Sequence, residues 1–185
     1  MVIVLLLSIT TIQGCALLVV GAGVGAASAA HDRRTLGVQL DDKTAASRIS
    51  VALSEVEALK QQASITVQVF NGTVLLVGQA PSNELIQLAQ QAASSVKNIK
   101  KLHNQIRLGK PISTGAAAND VWLASKVKAQ LLADKRVDGL NIEIEIENGE
   151  VFLMGLVSQK EANIAVDIAR NIEGVKQVVK AFEYQ

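Results

Sequence analysis

A single cysteine, Cys15, leaves the chain without an internal disulfide framework or a clustered thiolate metal site. Its two histidines, His31 and His103, stand in separate segments, so neither a metal set nor a Ser/His/Asp constellation emerges from the pattern. No paired carboxylates suggest a cleft. The glycine-rich run at residues 21–26 comes too early and follows no strand of a βαβ unit, as a phosphate loop would require. No catalytic activity, cofactor, metal or small-molecule substrate is expected. Aromatic residues make up only 3% of the chain, which removes the stacking platforms of single-strand binders. A net charge of +1 supplies no basic field for nucleic acid.

What the chain does have is a hairpin pattern, present twice. Ile142, Ile144 and Ile146 alternate with Glu143, Glu145 and Glu147, followed by Asn148-Gly149 and then Val151, Leu153 and Gly155. Alternation puts the isoleucines on one strand face and the glutamates on the other. Asn-Gly suits a type I′ turn, which needs positive φ at both central residues. The two-residue loop predicts Ile146 opposite Val151, Ile144 opposite Leu153 and Ile142 opposite Gly155. The earlier copy has Ile65, Val67 and Val69, the turn Asn71-Gly72, then Val74, Leu76 and Gly78. A helix-like stretch precedes each hairpin (residues 42–53 and 120–131), and an alanine-rich helix and an alternating strand follow. The pattern predicts a duplicated α+β domain, αββαβ in each copy, with two small cores in place of one large one.

The start of the chain is an uncharged apolar run, residues 1–14, sized like the core of a signal peptide and too short to span a bilayer alone. It ends in Ile12-Gln13-Gly14-Cys15, which resembles the bacterial lipobox and makes Cys15 the expected lipidation (palmitate) site. Gln13 and the lack of a basic residue near Met1 depart from that pattern. A competing reading takes residues 2–30 as one transmembrane helix, but Gly21, Gly23 and Gly25 make it a poor anchor. Ala16 follows the cysteine, where an aspartate commonly retains lipoproteins at the inner membrane, so the resemblance implies export to the outer membrane. Residues 15–40 then form the lipidated cysteine and a Gly/Ala-rich tether.

Domain 1 is expected over residues 41–109, a linker over 110–118 and domain 2 over 119–185. Ala45, Ile49 and Leu53 form one helical stripe, and Leu123, Val127 and Leu131 form its counterpart. Asn119-Asp120 are expected to cap the second domain's first helix. Ser158 and Glu161 are expected to form a capping box, and Gly174 to be a helix C′ glycine.

The copies differ most on the first helix. At about 100° per residue, Trp122 lies roughly 140° from Val127, on the side away from the core, where the first copy has Thr44. Lys126 and Ala129 share that surface, with Val121, Lys128 and Leu132 on its flank. An outward indole among lysines suits a membrane interface, because lysine stems snorkel toward phosphate. Packing of Trp122 on the linker or on the first copy is the equal alternative. The second sheet's outer face, with Glu143, Glu145, Glu147, Glu150, Phe152 and Met154, is expected to be solvated. The matching face of the first copy, Phe70, Leu75 and Val77, reads as an interdomain or partner contact.

Gly72-Thr-Val-Leu-Leu-Val-Gly78 and Gly149-Glu-Val-Phe-Leu-Met-Gly155 resemble the Gly-x-Val-x-Leu-x-Gly signature of the BON domain. Gly174-Val-Lys-Gln-Val fits that family's later Gly-Val-x-x-Val, and Asn98-Ile-Lys-Lys-Leu departs from it at the glycine. Together with the lipobox, the tether and Asp41-Asp42, these stretches look like a dual-BON-domain outer-membrane lipoprotein. The resemblance implies two tandem BON domains, each a three-stranded mixed sheet packed against two helices. It further implies a non-enzymatic, lipid-anchored protein facing the periplasm and supporting envelope integrity. Its partners would be anionic phospholipid (phosphatidylglycerol, cardiolipin), bound through the helix bearing Trp122, and the β-barrel assembly machinery.

Overall fold

The computed structural model describes residues 32–185, so Cys15, His31 and most of the tether lie outside the described residues. Domain 1 runs α1 (Leu36–Glu55), α2 (Glu57–Gln62), β1 (Ser64–Phe70), β2 (Thr73–Ala80), α3 (Asn83–Ser94) and β3 (Lys101–Leu108). Domain 2 runs α4 (Thr114–Ala133), a 3-10 turn (Gly139–Asn141), β4 (Ile142–Glu147), β5 (Glu150–Val157), α5 (Gln159–Arg170) and β6 (Gln177–Tyr184). Each sheet is mixed, ordered β1-β2-β3 and β4-β5-β6, with an antiparallel hairpin and a parallel closing strand.

Both turns take the expected geometry, with φ of 50° and 78° at Asn71-Gly72 and 51° and 77° at Asn148-Gly149. The predicted register holds throughout, Val69 opposite Val74 and Ile146 opposite Val151 included. The final glycine of each signature has a steric reason. A Cβ on Gly78 would collide with the Ser64 carbonyl oxygen, and one on Gly155 with that of Asn141. Asn98 explains the first copy's departure from the family pattern: it sits at φ 69°, where Gly174 has 99°. Asparagine is among the few non-glycine residues that enter this region readily.

Four expectations are corrected. Asp120 is no helix cap: α4 starts at Thr114, inside the stretch read as linker, and is capped by Ser113. Asp120 is instead buried in mid-helix, accepting from Asn148 N at 2.6 Å and Gly149 N at 2.8 Å. Asp42 does the same for Asn71 N and Gly72 N. Each carboxylate ties its first helix to its own hairpin turn, where two adjacent N–H groups converge. Likewise, α1 begins at Leu36, inside the stretch read as tether, with Thr35 as its cap. Gly174 is not a C′ residue either, since α5 ends at Arg170 and is capped at Asn171. The Ser158–Glu161 capping box is present.

The fourth correction concerns the outer faces of the sheets. Most of the acidic face of domain 2 is not solvated, because the two sheets meet there; Glu143 alone of its glutamates stays exposed. Phe70, Leu75 and Val77 pack with Phe152, Met154 and Ala181 in a third core, distinct from the two domain cores. Strands β2 and β5 are therefore covered on both sides, which suits their nearly continuous apolar runs. Around this core the glutamates find donors across the interface. Gln68 Nε2 donates to Glu145 at 2.8 Å, Gln79 Nε2 to Glu147 at 2.7 Å, and Arg107 to both oxygens of Glu150. Thr73 and Asn71 share Glu183.

The residues just before α1 reach both domains. Arg34 pairs with Asp42 at 2.8 Å and lies 3.8 Å over the Phe70 ring. Arg33 holds Glu161 at 2.8 Å and donates to the Leu156 carbonyl.

Candidate functional site

The helix α4 owes its inner face to Leu123, Val127 and Leu131, all fully buried against the domain core. Among the described residues, no element covers the apolar side chains on its opposite side. Trp122 is 56% exposed, Val121 70% and Leu132 51%. Val121 and Leu132 are eleven residues apart, hence about 20° apart around the axis and about 16 Å along it. They bound a strip that also holds Trp122 and the exposed Ala129. The alternative in which Trp122 packs on the linker or on the first domain does not describe this exposure.

The two flanking lysines do different things. The Lys126 ammonium lies 4.1 Å over the indole, a cation–π contact that leaves the pair at the surface. Lys128 turns the other way and donates to the carbonyls of Gly139 and Ile142, both at 2.9 Å. Burial pushes its pKa down, opposed by the nearby Glu143 and Asp138. Its expected place in a lipid-facing set is corrected: the ammonium is committed to the backbone of its own domain.

Sequence reasoning missed Leu140, which is 47% exposed on the 3-10 turn. That turn lies hard against the end of α4, since a Cβ on Gly139 would sit 2.6 Å from the Leu131 carbonyl oxygen. Leu140 is thus a further exposed apolar side chain on the turn that abuts the end of α4. The only hint in the sequence was the glycine, whose role depends on the packing of two elements.

Phe70, Leu75 and Val77 are 4%, 0% and 0% exposed and belong to the interdomain core described above. Cys15 lies outside the described residues. Among the described residues, no group of three or more His, Cys, Asp or Glu side chains could hold a metal, and no helix is long and apolar enough to cross a membrane.

The sequence matches the BON domain over residues 41–110 and again over 119–185. It is 38% identical to the outer membrane lipoprotein DolP of Haemophilus influenzae over 173 residues, covering 94% of this chain and 90% of that one. The 21 kDa hemolysin of Actinobacillus pleuropneumoniae is 37% identical, with 83% of this chain and 79% of the relative covered. The osmotically-inducible protein Y of Escherichia coli is 31% identical over 77% of this chain and 72% of the relative.

Proposed function

The chain belongs to the BON-domain family, with two copies of the domain, and from that premise we propose that it is an outer-membrane lipoprotein that docks its second domain on anionic phospholipid. Cys15 carries the lipid anchor and faces the protein toward the periplasm. The docking surface is the strip of α4 with Trp122, Val121, Lys126 and Leu132, joined by Leu140. The observation that carries the reading is the exposed indole beneath a lysine ammonium, on the helix face opposite the domain core.

Magnitudes divide the work. With Lys128 withdrawn, one lysine near an anionic surface contributes about 1 kcal/mol. The apolar residues must supply the rest, at up to about 1.5–3 kcal/mol for each side chain fully removed from water. Each alone is modest, and the anchor makes modest binding sufficient. Each buried methylene of an acyl chain adds about 0.8 kcal/mol, so an acylated Cys15 keeps the strip at the bilayer. Phosphatidylglycerol and cardiolipin are the lipids such a surface would select. Support of envelope integrity follows from holding the protein at that leaflet.

A second reading, a protein-interaction adaptor for outer-membrane protein assembly with lipid contact incidental, would use the face of Phe70, Leu75 and Val77, but those side chains are buried between the domains. Flotation of residues 16–185 with phosphatidylglycerol or cardiolipin vesicles tests the lipid reading. Trp122→Glu should lower the bound fraction roughly tenfold, and Lys128→Met should leave it unchanged. Equal flotation of Trp122→Glu and the parent would sink the proposal.

A further inference from the structure

The edges of the two sheets are not treated alike. A two-residue hairpin loop closes on a hydrogen-bonded pair, so Phe70 and Thr73 bond to each other, and alternation assigns Gln68, Thr66 and Ser64 to β2 as well. The backbone N–H and C=O groups of Val69, Val67 and Ile65 then point off the open side of β1. In domain 2 the same reasoning turns Ile146, Ile144 and Ile142 outward.

There the edge is blunted. Lys128 donates to the Ile142 carbonyl, and Ile142 and Ile146 are 0% and 7% exposed, which leaves Ile144 alone of the three partly exposed. A lysine on an edge is a common protection against strand addition. Strand β3 protects itself differently, with Asn104 Oδ1 accepting from the Ile106 N–H at 3.1 Å. The residue aligned with Lys128 is Ser50, whose hydroxyl bonds back to Ala46 O within α1. Ile65, Val67 and Val69 all remain partly exposed.

A groove of about 170 Å³ lies beside this edge, lined by Ser50, Leu53, Leu59, Lys60, Ile65 and Val67. It lies where the helix breaks at the extended residue Val56 and restarts as α2. Small-molecule sites run to roughly 300–1,000 Å³, so this groove is sized for one side chain. The outward backbone groups and the groove belong to the same residues, Ile65 and Val67.

We propose that β1 is an acceptor edge that takes an extended polypeptide segment of a partner as a fourth strand, with one apolar side chain of that segment in the groove. Main-chain hydrogen bonds supply affinity in this mode, and the pocket for alternate side chains supplies selectivity. Lys60 at the groove favours an acidic residue near the inserted side chain. The surface uses domain 1 alone and is independent of the lipid reading.

The test uses the full chain in detergent micelles and a synthetic ten-residue peptide of alternating valine and threonine with a central leucine and one aspartate. Hydrogen exchange at the amides of Ile65, Val67 and Val69 should slow roughly tenfold at saturation, with those of Ile142, Ile144 and Ile146 unchanged. Ser50→Lys, which transplants the plug of domain 2, should weaken peptide binding roughly tenfold or more, and Ser50→Ala should not. Unchanged exchange in β1, or equal affinity for Ser50→Lys and the parent, overturns the proposal. So does protection of β1 that rises with protein concentration without peptide, which would assign the edge to a second copy of the chain.

Discussion

Domains 1 and 2 fold on the same plan, yet their first helices serve different ends. Both use a buried aspartate to hold the hairpin turn and a glycine where strand and neighbouring carbonyl nearly touch. These shared devices are fold requirements. On α4 the surface positions carry Trp122 and Val121, and an inward lysine closes the adjacent edge. On α1 the equivalents are Thr44 and Ser50, both hydrogen-bonded to their own helix, so no counterpart of that lysine reaches the edge of β1. Duplication thus kept the interior and freed the exterior: α4 sets an indole under a lysine on its apolar strip, whereas α1 exposes only aliphatic side chains, Leu36, Leu40 and Val51, and has a serine in place of the edge lysine.

The sharpest way to break this comparison is to separate the copies. Phe152 is 1% exposed in the core between the sheets. Phe152→Ala should cost about 3–5 kcal/mol, and urea or thermal unfolding should resolve two transitions where one is expected of the parent. A single transition at the parental midpoint would mean that the sheet-to-sheet contact contributes little.

Next come the paired aspartates. Asp120→Ala removes the acceptor of two N–H groups, one of them on the buried Gly149, and should cost about 2–4 kcal/mol in urea denaturation. Asp42→Ala should cost more, because it also strips Arg34 of a partner at 2.8 Å. Equal costs would mean that Arg34 adds nothing to domain 1.

A smaller effect is expected at the edge plug. Lys128→Met leaves the Gly139 and Ile142 carbonyls without their donor and should cost about 1–2 kcal/mol. Ser50→Ala, at the aligned position, should be near neutral by the same measurement.

The smallest effect is a matter of pH. Burial raises the pKa values of Glu145 and Glu147 above the ordinary 4.5, against the opposing hydrogen bonds from Gln68 and Gln79. An acid whose folded pKa is raised disfavours the folded state when ionised, so this penalty is relieved as pH falls from neutral toward 4.5. Glu161 behaves oppositely, its pKa lowered to about 2 by the Arg33 hydrogen bond, with Ser158 assisting. Its contribution is present above 4.5 and lost as pH falls toward 2. Glu145→Gln with Glu147→Gln should flatten the rise in unfolding midpoint between pH 7 and 5, and Glu161→Gln should flatten the loss below 4.5. A rise that survives the double change would assign it to other groups.

Local periodicity and turn chemistry carried much of the fold: the Asn-Gly turns, the register, the capping box and the repeat are all properties of neighbouring residues. Asp120 was misread because an acid near a helix start looks like a cap, and only tertiary approach brings the turn's N–H groups to it. Lys128 was misread because helical spacing gives a direction for the Cβ but not for a four-carbon chain that finds two carbonyls on another element. The glutamate face was misread because alternation distinguishes two sides of a strand and says nothing of what covers the second.

The sequence by itself determined two copies of one αββαβ module, each with its hairpin in a single register, because those depend on short-range sterics and on a side-chain period of two. It also determined that Trp122 leaves its own domain's core, since helical rotation alone turns it away. Only the tertiary structure decided that the sheets meet face to face and that Lys128 turns inward to the edge of β4. Those outcomes depend on groups far apart in the chain competing for the same donors, acceptors and apolar area, and no local pattern records who wins.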